Sequence, residues 1–333
     1  MRRRDAIAGL VALGALSGAR VAVAQAAKQS TPYRIAVFPD MTPQAIRNML
    51  GDAIRTMGWS EGRDVILVDS GFQYGAPHLE QAARRVVDSR PDLILTYSSN
   101  YALALHRATV TIPIVMWTSG YPVEVGVANS LAQPGKNVTG NTQYAGTGIW
   151  GKLLELLRDA KPSIKRIGVC WGYVPPAFPK EEIEPCYREL RQAARALGVT
   201  VTIVEFATPD RVPAALAEID AGRPDALLIT TGPAIWVARR QVMEFAIKRH
   251  LPTVVDFLWE DDLTPMLMFA APAADLIRRA LYYVDRIRKG ARPGDLPIQL
   301  PPRFELIVNR KMAKAIDLAI PQLILLRADR VIE

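Results

Sequence analysis

Three histidines and two cysteines are all that 333 residues offer for metal or thiol chemistry. His78, His106 and His250 stand far apart, and no pair has ligand spacing, so no metal site is expected. The chain lacks a G-x-S-x-G elbow and a phosphate-binding glycine loop. No nucleophile–base set emerges, which argues against an enzyme, and no cofactor is expected. Low-complexity tracts are missing, and past the first residues no segment is apolar enough to cross a membrane. Asp261-Asp262 behind Glu260 reads either as a solvated loop or as a site for a cation or a substrate ammonium.

Residues 1–26 read as a leader outside the fold. Arg2-Arg3-Arg4 opens it, Ile7 to Leu16 is apolar, and Ala22-Val23-Ala24 and Ala24-Gln25-Ala26 are small-x-small cleavage sites. This is a secretory signal peptide of the Sec or twin-arginine kind, which places the mature protein in the periplasm. No cysteine lies near the cleavage point, against a lipid anchor. Of the net charge of +8, the leader carries three through Arg2, Arg3, Arg4 and Arg20 against Asp5. The basic residues that remain are spread over many helices, which is a solvated surface rather than a nucleic-acid footprint. Cys170 and Cys186 leave a disulfide and two buried thiols equally open.

Half the residues are apolar and 22% charged, ordinary for a globular chain long enough for two domains. Two stretches echo each other. Arg90-Pro91-Asp92-Leu93-Ile94-Leu95-Thr96 leads through a helix to Ile112-Pro113-Ile114-Val115. Arg223-Pro224-Asp225-Ala226-Leu227-Leu228-Ile229-Thr230 leads through a helix to Leu251-Pro252-Thr253-Val254-Val255. Apolar strands and amphipathic helices alternate from Tyr33 to Val255, which predicts an α/β fold with a parallel sheet in each of two similar lobes. The tail past 264 is too short for a third domain and adds elements to both lobes, making a multi-crossover hinge. The expected division is 31–145 with 265–293 as one lobe, and 146–264 with 294–333 as the other.

Ligands of open α/β sheets bind outside the carboxyl ends of the strands. The strand ends of the first lobe carry Asp40, then Tyr97-Ser98-Ser99, then Trp117-Thr118-Ser119 with Tyr121, then Gln143. Ser98 and Ser99 open a helix, where the dipole and unpaired N–H groups favour an anion; simple helix capping is the competing reading. The second lobe answers with Trp171 and Tyr173, Thr231-Gly232, Asp256 and Trp259. The aromatics suit a pocket that stacks on a flat or apolar solute, and Asp256 suits an amine or a turn cap.

Ser130-Leu131-Ala132-Gln133-Pro134-Gly135-Lys136-Asn137-Val138-Thr139-Gly140 closely resembles the SLARPGGNVTG signature of bacterial ABC-transporter substrate-binding proteins of the tryptophan/tyrosine-uptake-like group. The tail Phe304-Glu305-Leu306-Ile307-Val308-Asn309, Lys314-Ala315 and Leu326 to Glu333 resembles the same family, as does the leader. Lys136 stands where the signature has its second glycine, and Thr264 to Phe269 replaces a glycine-rich stretch. The resemblance covers essentially the whole chain. It implies the type I periplasmic-binding-protein fold, with two Rossmann-like lobes, three crossovers and a ligand closed between them.

The function expected is therefore capture of a small anionic or zwitterionic solute, aromatic or amino-acid-like, by a monomer that delivers it to an ABC permease in the inner membrane. A ligand-sensing subunit that hands its closed form to a membrane receptor is the alternative. A DNA-binding repressor of this fold is excluded by the leader, which stands where a helix-turn-helix would.

Overall fold

The computed structural model describes residues 31–38, 44–72, 78–172, 180–206, 208–230, 233–259 and 263–333. In the first half, β1 (Tyr33–Phe38), β2 (Val65–Asp69), β3 (Leu93–Tyr97), β4 (Ile114–Thr118) and β5 (Val138–Gly140) form a five-stranded sheet in the order β2-β1-β3-β4-β5. Every pairing in it is parallel. Alternation along the strands assigns side chains to two helix layers. Ile35, Val37, Leu93, Leu95 and Val115 face one cluster, while Ala36, Phe38, Ile94, Ile114 and Met116 face the other. Helices α1 (Gln44–Thr56), α2 (Leu79–Asp88) and α3 (Ser99–Ala108) connect these strands. Each fully buried large side chain contributes about 1.5–3 kcal/mol.

The second half continues with α4 (Ile149–Ala160), β6 (Arg166–Trp171), α5 (Lys180–Leu197), β7 (Thr200–Glu205), α6 (Val212–Ala221), β8 (Ala226–Ile229), α7 (Pro233–Lys248) and β9 (Thr253–Val255). β10 (Leu267–Ala270), β11 (Glu305–Asn309) and β12 (Arg330–Ile332) complete a seven-stranded sheet, ordered β12-β11-β10-β9-β8-β6-β7. It is parallel except for the β10–β11 pair. Two short helices between β11 and β12, α9 (Arg310–Ala315) and α10 (Gln322–Arg327), have no counterpart in the sequence reading.

The repeated Arg-Pro-Asp has a physical basis. Arg90 and Arg223 take positive φ of 51° and 47°, turning the chain into its strand. Asp92 then accepts from the Arg34 N–H at 2.7 Å, and Asp225 accepts from the Lys165 and Arg166 N–H groups at 2.9 and 2.8 Å. In each sheet the carboxylate brackets the start of the neighbouring strand. Asp329, ahead of β12, does the same to Leu306 of β11 at 2.8 Å.

The chain passes between the sheets three times. The first crossover runs from β5 to α4. The second runs from β10 to α8 (Ala273–Arg288), whose Ile277, Ala280, Leu281 and Val284 pack into the cluster under the first sheet. The third leads from residues 293–299 to β11. These passages differ from the expected division. Leu267–Ala270 is hydrogen-bonded to β9 and β11, so it belongs with the second sheet although it was expected in the first lobe. Residues 294–299 stay with the first sheet, because Gln299 N–H donates to Gly140 O at 3.0 Å and Ile298 N–H to Leu131 O at 2.7 Å. Cys170 and Cys186 are both buried and are not joined in a disulfide, and burial pushes the Cys170 pKa up to about 12.

The signature segment holds this junction together. Asn137 Nδ2 donates to Thr109 O and Ile112 O at 2.9 and 2.7 Å, and its Oδ1 lies 2.5 Å from His106 Nδ1. Thr139 Oγ1 donates to Leu296 O at 2.8 Å. Gly140 has φ +137°, and a Cβ there would lie 2.0 Å from Met116 O, so only glycine fits. Lys136 bonds the Gly126 carbonyl through its ammonium.

Candidate functional site

Strand order locates the crevice. In the first sheet the chain moves from β1 to β2 on one side and to β3 on the other, so the crevice opens at the ends of β1 and β3. In the second sheet the same reversal lies between β6 and β8. Asp40, Tyr173, Thr231 and Gly232, expected at these ends, lie outside the described residues.

The corner after β3 is the most distinctive. Ser98 has φ 64° and ψ 137°, an unusual conformation for a residue with a side chain, and is 5% exposed. Strain of this kind concentrates at ligand clamps. Its N–H donates to Thr118 O at 3.0 Å, and its Oγ accepts from the Asn100 N–H at 3.2 Å as the cap of α3. The competing capping reading therefore holds for Ser98. Ser99 differs: it is fully buried, and its hydroxyl has no hydrogen-bond partner among the described residues. A buried hydroxyl without a partner costs about 1–3 kcal/mol unless something completes it.

Beside this corner the half-buried Tyr97 ring packs against Tyr101 at 5.5 Å and Trp117 at 5.6 Å. Tyr101 continues into Phe38 and Phe72, two rings that sequence reasoning did not select. The Trp117 indole N–H is buried without a partner among the described residues. Thr118 Oγ1 donates to Gln143 Oε1 at 3.1 Å, joining the end of β4 to the first crossover. Ser119 donates its hydroxyl to Asn141 O at 2.7 Å, so it secures the crossover instead of facing the opening. The structure thus brings Tyr97, Ser98, Ser99, Trp117, Thr118 and Gln143 to one end of the first sheet.

The second sheet places its candidates differently. Gly172 N–H donates to Thr230 Oγ1 at 2.9 Å, which closes the β6–β8 corner. Asp256, after β9, is fully buried and accepts from the Tyr144 hydroxyl at 3.1 Å. Tyr121, Trp171 and Trp259, expected on the cleft wall, are 1%, 0% and 2% exposed and belong to the core of the second sheet. Tyr121, Tyr144, Trp150, Trp171 and Tyr187 form a ladder of rings with successive centroids 6.5, 5.3, 5.2 and 4.8 Å apart. Trp150 Nε1 donates to the Tyr121 hydroxyl at 3.2 Å, and burial raises the Tyr121 pKa. Sequence marks Tyr121 and Trp171 as strand-end residues but does not show that Trp150 of α4 and Tyr187 of α5 pack over them.

Among the described residues no group of three or more His, Cys, Asp or Glu is placed to hold a metal, and no helix is long and apolar enough to cross a membrane. The arrangement offers a strained serine corner, an aromatic wall and a buried carboxylate.

Comparison with known proteins agrees. The family described as ABC transporter substrate binding protein matches residues 42–332. A tyrosine-binding protein of Clostridioides difficile (strain R20291) is 25% identical over 266 residues, which span 80% of this chain and 74% of that protein. A conserved domain protein of Vibrio cholerae superposes with a TM-score of 0.80 at 24% identity, over 90% of this chain and 100% of that one. An ABC domain from Streptococcus pneumonia, solved in complex with L-Trp, gives a TM-score of 0.78 at 19% identity, over 91% and 100% of the two chains. With two mostly parallel sheets, three crossovers and a family match over most of its length, the chain belongs to the ABC transporter substrate-binding proteins and has the type I periplasmic-binding-protein fold.

Proposed function

We propose that the protein is exported to the periplasm and clamps a small zwitterionic solute, aromatic and amino-acid-like, between its two sheets, then presents the closed form to the permease of an importer. The solute is carried unchanged. The observation behind this reading is the Ser98–Ser99 corner: a strained serine and an unpartnered buried hydroxyl at the start of α3, beside the Tyr97–Trp117 wall. A carboxylate completes the Ser99 hydroxyl and meets the positive end of the helix dipole. Asp256 supplies the buried negative charge that an ammonium matches. The tyrosine-binding relative and the L-Trp complex support an aromatic amino acid as the class.

Closure follows from contacts made with both sheets at once. Moving an open–closed equilibrium from 1:99 to 99:1 requires about 5.5 kcal/mol of differential binding. Two charge-assisted hydrogen-bond sets at about 1.5–3 kcal/mol each, with a buried ring at about 1.5–3, supply that amount. Titration calorimetry with L-tyrosine, L-phenylalanine and their decarboxylated amines tests the reading. Saturable binding of the amino acids and none of the amines is expected; a protein that binds no carboxylate in a broad solute panel contradicts it.

A further inference from the structure

We propose that a cavity beside the crossovers is a second binding site, for a small zwitterion with an apolar body, and that its occupant restrains the hinge. The cavity has a volume of about 320 Å³. Thr147 and Gly148 of the first crossover, Lys152 and Glu155 on α4, Phe269 near the end of β10 and Phe304 just before β11 are among its walls. It lies at the β10–β11 end of the second sheet, with β9 between it and the β6–β8 crevice. It is therefore separate from the corner assigned to the transported solute. The volume falls at the lower end of the range for small-molecule pockets, about 300–1,000 Å³.

The lining is chemically divided. Phe269 and Phe304, both half-buried, stack with centroids 5.3 Å apart and planes at 17°, forming an apolar wall. Elsewhere in the lining Lys152 Nζ pairs with Glu155 Oε2 at 3.1 Å, with the side chains 36% and 48% exposed. So exposed a pair is weakly held. A zwitterion with its carboxylate on Lys152 and its ammonium on Glu155 replaces one weak pair with two, while its apolar body covers the phenylalanines. A monoanion leaves Glu155 unmatched, and a cation leaves Lys152 unmatched.

Every crossover touches this space. Thr147 and Gly148 end the first, Phe269 lies one residue before the end of β10 where the second begins, and Phe304 ends the third. Rotation of one sheet against the other alters the backbone at these points, so an occupant resists the rotation. The hinge effect rests on the closing motion proposed above; binding in the cavity does not.

The probe is 4-fluoro-L-phenylalanine, followed by fluorine NMR titration of the full mature chain. Lys152→Ala and Glu155→Ala replace exposed side chains and are expected to fold as wild type. Each should weaken binding of the probe in the cavity about two- to fivefold, and Ser99→Ala should leave that binding in place. No probe binding, or equal binding by Lys152→Ala and wild type, overturns the second site. Loss of all binding in Ser99→Ala alone also overturns it, while leaving the transport reading intact. Hydrogen exchange at 144–148 and 300–304 should slow with probe in wild type but not in Lys152→Ala; unchanged exchange in saturated wild type overturns the hinge effect.

Discussion

Replacing Asn141 with alanine tests how the first crossover is fixed. Asn141 is fully buried, and its Nδ2 donates to Trp117 O at 2.9 Å and Leu276 O at 3.0 Å. One side chain thus ties the crossover to the end of β4 and to the first turn of α8, 135 residues away. Truncation leaves two interior carbonyls without these donors, at about 1–3 kcal/mol each. It also removes Oδ1, a buried acceptor with no partner, which offsets about 1–2 kcal/mol of that loss. The middle of these ranges gives a net destabilisation of about 2.5 kcal/mol. At about 2–4 °C per kcal/mol, the melting temperature falls by roughly 5–10 °C. Urea and thermal unfolding followed by circular dichroism measure both quantities. An Asn141→Ala protein within about 0.5 kcal/mol of wild type refutes the assignment of this side chain as a tie between crossover and helix.

Ser99→Ala removes no hydrogen bond in the unliganded protein, so its melting temperature should stay within about 1–2 °C of wild type while its affinity for a zwitterionic solute falls at least tenfold; calorimetry and thermal shift together check this split. Gly140→Ala places a Cβ 2.0 Å from Met116 O at φ +137°, and should either prevent soluble expression or cost more than about 3 kcal/mol in urea unfolding. Burial works against the Asp225 carboxylate, but the Lys165 and Arg166 N–H groups outweigh it and hold its pKa below the usual 3.8. A carboxylate with a depressed folded pKa stabilises above its unfolded pKa, and that stability is lost as the pH falls through the folded value. Asp225→Asn should therefore flatten the acid limb of a stability–pH profile below about pH 4, and an unchanged limb contradicts the bracket.

The alternation of apolar strands and amphipathic helices was legible because its periods are local. Strands such as Tyr33–Phe38, Thr200–Glu205 and Ala226–Ile229 fall within that alternation. The Arg-Pro-Asp repeat was visible as a pattern, but its cause was not. Asp225 acts on Arg166, 59 residues earlier. The signature 130–140 read as a family marker, and coordinates show it as scaffolding: Thr139 reaches Leu296, 157 residues away. Such long-range bonds leave no periodic trace. The same limit explains the aromatics. Position at a strand end is readable, whereas the cover that α4 and α5 place over Tyr121 and Trp171 depends on tertiary packing. The late boundary was misjudged for a related reason: Leu267–Ala270 looks like any buried strand, and only pairing with β9 and β11 decides its sheet.

Small-angle X-ray scattering of the mature chain, with and without a saturating zwitterionic aromatic solute, tests the clamp most directly. Closure of the two sheets on the solute predicts a smaller radius of gyration in the saturated protein. An unchanged radius, with saturation confirmed by calorimetry on the same sample, contradicts the account.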